Sequence, residues 1–168
     1  MPENSVHGPE AFDAVMAMAD PSLYIATLAV GEERAGCLVG FAAQVSIDPA
    51  RFLVCLSKNN HTYRISGAAQ HMAVHLVGAD NMALAALFGA ETGDEMDKFS
   101  WTPWRVGPHG VPIILDTLAW FCGRIVARHD LGDHVGFVIE PEDGFAPGEP
   151  GAVVRLSHAT RLEPGHPA

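Results

Sequence analysis

Hydrophobic and polar positions divide the chain into short apolar runs separated by polar or Gly/Pro-rich breaks. Residues 9–19 place Phe12, Val15 and Met16 at helical spacing with Pro9 near the start, predicting a short helix that stops at Asp20-Pro21. Residues 23–30 and 35–45 are apolar runs either side of the polar turn Gly31-Glu32-Glu33-Arg34, the pattern of a β-hairpin. Pro49-Ala50-Arg51 turns the chain into a third strand over residues 52–57. A short helix over 62–70 and a strand over 72–77 follow. Residues 80–88 predict a helix capped by Asp80 and stopped by Gly89. Residues 91–99 read as a helical turn, and 101–112, rich in Pro, Gly and Trp, as a long loop. Residues 118–127 and 134–139 predict two antiparallel strands joined around Gly132. Residues 141–150 read as a surface loop, 152–157 as a last strand, and the tail from about 163 to 168 as frayed.

Many strands, few helices and hairpin spacing predict a mainly β fold, a closed or nearly closed barrel with small helices packed on it. Strict alternation of strand and helix is missing, as is a Gly-x-Gly-x-x-Gly after a strand, so a Rossmann sheet is not expected. A length of 168 residues fits one domain with a sizeable core.

Composition narrows the partners. The net charge of −10 argues against nucleic acid, and the only two lysines, Lys58 and Lys98, make no polybasic membrane patch. No apolar run reaches the ~20 residues that span a bilayer. The first residues show neither the basic nor the apolar region of an export signal. Charged residues are 18% of the chain and hydrophobic ones 48%, so a second copy is expected to cover some apolar surface. Cys37, Cys55 and Cys122 are far apart and in apolar surroundings, which predicts free buried thiols and a reducing cytoplasm.

Candidate chemistry concentrates in "VSIDPARFLVCLSKNNHT", residues 45–62. Ser46 and Thr62 bring hydroxyls, Asn59 and Asn60 amides and Lys58 an ammonium, a donor set suited to a phosphate; a capped helix start with solvated side chains uses the same residues. "RHDLGDH", residues 128–134, brings together His129, Asp130, Asp133 and His134. Those types can ligate a metal, but the segment reads first as a hairpin turn, and no metal is expected. Cys37 has no local cation to stabilise a thiolate.

In order along the chain, "AGCLVGFAAQ", the Ser-x-Asp-Pro turn, "HMAVHLVG", "LAALFG", "DKF", "GVPIILDTLAWFCGRIV" and "GDHVGFVIE" resemble the flavin reductase-like, FMN-binding split-barrel family. The resemblance covers roughly residues 23–138. It implies a homodimer of six-stranded Greek-key barrels with an FMN, or FAD, site near the dimer interface and NADH or NADPH as reductant. By position, it places Gly36, Cys37, Leu38, Val39 and Gly40, and then Gln44, Val45, Ser46 and Ile47, along the flavin ring and ribityl chain. Lys58, Asn59, Asn60 and Thr62 fall at its phosphate, and His134 beside the flavin or nicotinamide as the catalytic residue. The family's ring-facing strand usually carries Thr, Ser and Asn; here Leu38, Gly40, Phe41 and Ala43 stand there instead. The strand's backbone can still serve the ring edge, with Gly36 and Gly40 allowing close approach and Gln44 able to supply one amide; losses that these do not offset weaken flavin binding. The function implied is an NAD(P)H:flavin oxidoreductase, able to supply reduced flavin to a separate monooxygenase. Two other classes use the same scaffold: a flavin-binding electron carrier or sensor, and a barrel holding another ligand such as haem through a histidine.

Overall fold

The computed structural model describes residues 4–90 and 96–159. A seven-stranded antiparallel sheet dominates, in the order β2-β1-β5-β8-β9-β4-β3. Its strands are β1 (Tyr24–Val30), β2 (Glu33–Val39), β3 (Ala42–Ser46), β4 (Arg51–Ser57), β5 (His71–Leu76), β8 (Ala119–Asp130) and β9 (His134–Phe145). A small hairpin, β6 (Trp104–Val106) with β7 (Pro112–Ile114), and the helices α1 (Ala11–Ala19), α2 (His61–Ile65), α3 (Met82–Ala90) and α4 (Leu156–Ala159) complete it.

Alternation along β1 explains why this part of the sheet is buried on both faces. Ala26 and Leu28 of β1 point into a core with Leu56, Met72, Val74, Phe137 and Ile139. Leu23 and Ile25 point the other way, into a layer with Leu84 and Phe88 of α3, Phe99, Ile114 and Val154. Buried polar groups in this second layer are paired. Thr27 Oγ1 donates to the Pro112 carbonyl at 2.6 Å. His75 lies between the Ile25 carbonyl (Nδ1, 3.0 Å) and the Ile114 N–H (Nε2, 3.1 Å).

Several expected elements take a different form. The run 35–45 is two strands: β2 pairs with β1, β3 pairs with β4, and the chain crosses between them at Gly40-Phe41. This gives seven strands in the sheet where six were expected. The Cys55 N–H donates to the Phe41 carbonyl at 2.9 Å, so the end of edge strand β2 is drawn back toward β4 near the opposite edge. The loop expected at 101–112 folds into the β6–β7 hairpin, with Gly107, Pro108 and Gly110 in the turn. β9 runs on through Pro141 to Phe145, because a bulge at Cys122/Gly123 absorbs the proline, whose ring nitrogen cannot donate to the ladder. A Cβ on Gly123 would collide with the Glu140 carbonyl, so this crossing requires glycine.

The predicted helix at 62–70 is α2 followed by a 3-10 turn, Ser66–Ala68. Asn81, rather than Asp80, caps α3 by accepting from the Leu84 N–H at 3.3 Å. Gly89 lies within that helix, where its missing side chain leaves room for Leu38 of β2. The last predicted strand is reduced to two isolated bridges, Gly78 with Val153 and Ser22 with Arg155, before α4. Part of the predicted turn at 91–99 and the tail after Leu162 lie outside the described residues; within the former, a 3-10 turn spans Lys98–Trp101. Among the described residues no helix is long and apolar enough to cross a membrane.

Candidate functional site

The residues expected along a flavin ring lie on β2, an edge strand, and the side chains of that strand are already committed. Gly36 and Leu38 face α3: a Cβ on Gly36 would come within 2.9 Å of Phe88 Cε1, and Leu38 packs against Gly89. Cys37 and Val39 face the inner core. What β2 can still offer a ligand is its outer backbone edge, whose N–H and C=O groups pair with a strand on one side only. Part of that edge is engaged, since Lys98 Nζ donates to the Gly36 carbonyl at 3.3 Å and the Phe88 carbonyl at 3.0 Å.

The end of β2 opens into a groove of about 140 Å3, lined by Cys37, Leu38, Val39, Gly40 and Phe41, by Cys55, Leu56 and Ser57 of β4, and by Asn60 and His134. The fold therefore gathers Cys37, Leu38, Val39, Gly40, Asn60 and His134 in one place. Above Gly40 the nearest atom to a built Cβ is Leu23 Cδ2 at 3.5 Å, so close backbone approach is sterically available here and not at Gly36. A second cavity of about 300 Å3 is lined by Gly36 and His61, the chain neighbours of Cys37 and Asn60 in the groove, and by Arg34, Asp97, Lys98 and Phe99. Arg34 lies over the Trp104 ring at 4.4 Å and reaches Asp97 at 3.6 Å, while its buried Nε finds no hydrogen-bond partner among the described residues.

His134 is held by its own hairpin. Lys58 fastens the β8–β9 turn to the end of β4: its Nζ reaches both oxygens of Asp130 (3.0 and 2.9 Å), and its N–H donates to the Asp133 carbonyl at 2.9 Å. Gly132, at φ 124°, makes the turn, and its N–H donates to Asp130. The hydrogen bond from Lys58, followed by that from Gly132, holds the Asp130 carboxyl below the usual carboxylate range. The Asp133 carboxyl is lowered first by its 2.7 Å hydrogen bond with His134 Nδ1. An ionised carboxylate only accepts, so Nδ1 carries the proton and donates it to Asp133. The ring then meets Phe41, with centroids 4.8 Å apart.

Other expected residues lie apart from the groove. Gln44, Val45 and Ser46 are on β3, the opposite edge strand, and Ile47 follows it at 85% exposed. Gln44 Nε2 donates to the Ser46 carbonyl at 3.1 Å. Asn60 caps α2 through the Thr62 N–H at 2.8 Å. Thr62 is buried and its hydroxyl lies against the Cys37 thiol, so that side chain is turned away from the surface. Burial pushes the Cys37 thiol up, in keeping with an inert core residue. Sequence reasoning gave Phe41 only as a lost donor and missed Ser57, Arg34 and Lys98 as lining residues. The single pointer to Lys98 was a lone lysine in an otherwise acidic segment.

A family model described as flavin reductase like domain matches residues 15–160. The chain is 34% identical over 116 residues to the "FMN reductase (NADH) SmoA" of Agrobacterium fabrum, covering 69% of this chain and 64% of that protein. It is 32% identical over 116 residues to the "Stachydrine N-demethylase reductase subunit Stc3" of Rhizobium meliloti, covering 67% of this chain and 49% of the relative. The chain thus spans less than two thirds of the length of either. A flavin reductase domain protein from Arthrobacter sp. FB24 shares the fold with a TM-score of 0.75 at 24% identity, over 88% of this chain and 95% of the other.

Proposed function

This chain belongs to the flavin reductase like domain family, and from that premise we propose that it is an NADH-dependent FMN reductase whose site is the groove between β2, β4 and His134. The observation that carries the reading is the convergence in that groove of Cys37, Leu38, Val39, Gly40, Asn60 and His134, segments separated widely in sequence. The groove alone is below the ~300–1,000 Å3 that small-molecule sites occupy, so the reading has the flavin extend beyond it, toward the cavity of about 300 Å3 lined by the neighbouring residues Gly36 and His61.

The chain's residues fit a flavin in a particular way. β2 offers backbone donors and acceptors to the ring edge, with Gly40 leaving close approach open. Phe41 contributes an exposed aromatic surface, and Ser57 and Asn60 are the polar side chains of the groove floor. Lys58, Asn59 and Asn60 take the phosphate, Lys58 giving up Asp130 to do so. FMN bound there supplies a ring system that accepts a hydride from NADH, chemistry that belongs to the two cofactors. His134, held by Asp133, orients the nicotinamide and keeps water from the reacting faces. Gln44, Val45, Ser46 and Ile47, expected along the ring and ribityl chain, lie outside this groove at the other edge strand.

The active species is a homodimer of split barrels, for which the exposed apolar side of α1 is the support on this chain: Phe12, Val15 and Met18 are 66%, 54% and 85% exposed. Reduced flavin leaves for a separate oxygenase, as suggested by a relative named as a demethylase's reductase subunit. Stopped-flow reduction tests the role of His134. His134→Ala slows flavin reduction about tenfold or more while leaving FMN affinity nearly unchanged; an unaltered reduction rate removes His134 from the chemistry.

A further inference from the structure

We propose that His71, His109 and Glu142 form a binding site for a zinc-class divalent metal ion, outside the flavin groove. The three side chains come from separate elements: the first residue of β5, the turn between β6 and β7, and the far part of β9. Their ligand atoms all lie within 4.8 Å of one another. His109 Nε2 is 3.0 Å and His71 Nε2 3.8 Å from the same oxygen, Glu142 Oε2. Two ligands on a tetrahedral ion with bonds of ~2.0–2.1 Å stand about 3.3–3.4 Å apart, so the two observed separations bracket that edge. The third separation, between the two histidines, is within 4.8 Å, so binding draws the two ring nitrogens together.

Both imidazoles approach one carboxylate oxygen. The two rings are stacked, with centroids 3.6 Å apart and planes 8° from parallel, and because an ion lies in the plane of each imidazole it bonds, one ring turns out of the stack on binding. A hydrogen bond to Glu142 needs only one of them. His109 is also held in a left-handed conformation, φ 56° and ψ 22°, uncommon for a residue with a side chain. Such outliers gather at ligand sites, where the surroundings over-determine them. Arg124, which pairs with His71 in the β5–β8 ladder, is drawn off by Glu140 at 3.4 Å. His109 and Glu142 are partly exposed and His71 is mostly covered, so an ion has an entry path and one open coordination position for water. Imidazole with carboxylate suits zinc and its neighbours among the transition metals, in contrast to magnesium or calcium.

Glu142 lies eight residues beyond His134 on β9, roughly 27 Å along the strand at ~3.4 Å per residue. The metal would therefore brace the β6–β7 turn against the barrel wall at the end remote from the flavin.

Titration of the full, tag-free chain with Co2+, read by its ligand-field absorption, and with Zn2+, read by calorimetry and by the rise in Tm, tests the site. One ion binds per chain. His109→Ala and Glu142→Gln each weaken binding about tenfold or more, and Zn2+ no longer raises the Tm of folded His109→Ala. His129→Ala, near the end of β8, binds as the parent does. A parent chain that binds no ion overturns the proposal. So does wild-type affinity in His109→Ala, or binding lost with His129→Ala.

Discussion

His75 shows how one buried residue ties three elements together. It has no exposed surface, and its ring bridges the Ile25 carbonyl of β1 and the Ile114 N–H of β7. Nδ1 must donate and Nε2 accept, so only the neutral ring fits. Burial accordingly lowers its pKa from 6.5 to about 4, against a smaller raising effect of the Ile25 hydrogen bond. The unfolded chain takes up a proton near pH 6.5 that the folded chain resists until about 4. The contribution is therefore complete above pH 6.5 and lost as pH falls toward 4, amounting to about 3 kcal/mol. Denaturant melts between pH 7 and 4 should show the fall, and His75→Gln should flatten it; an equal slope in both proteins would contradict this role. At the same scale, the sequence revealed much of the groove. Cys37, Leu38, Val39, Gly40, Asn60 and His134 were placed by their positions in ordered motifs, and they meet. The partner of Lys58 was not legible, because Asp130 lies 72 residues away and becomes a neighbour only when β9 pairs with β4. Nor was the inward turn of Thr62, which depends on α2 packing over Cys37.

Among elements, the strands with clear apolar runs were legible, and their joints were not. Residues 35–45 are apolar almost throughout, so nothing local marks the crossover at Gly40-Phe41; it is fixed by the long-range bond from Cys55 to Phe41. Proline misled in two places. It sits in the turn of the β6–β7 hairpin and within β9, where a bulge and Gly123 accommodate it. The helix α1 was expected over residues 9–19 with Phe12, Val15 and Met16 on one face, and it forms over Ala11–Ala19, but no residue of it is buried within this chain. That is the argument for a second copy at this scale. Light scattering should give a mass of twice 17.9 kDa at micromolar concentration. The double variant Phe12→Asp, Val15→Asp should shift the population toward single chains. A parent protein of single-chain mass would contradict the dimer.

For the whole molecule, the curved sheet sets the division of labour. Its closing end, where β2 is drawn toward β4, holds the groove proposed for the flavin, and the hairpin between β8 and β9 delivers His134 to that groove. The distant end of β9 carries the His71–His109–Glu142 cluster. In the proposed function, strand backbone more than side chains holds the flavin, which would suit a protein that picks up FMN, reduces it and releases it. This account is tested most directly by the anaerobic absorbance spectrum of FMN mixed with the purified protein, followed after NADH is added. It predicts that the visible flavin band bleaches at a rate proportional to protein concentration. Bleaching no faster than in a mixture of NADH and FMN without protein would contradict it.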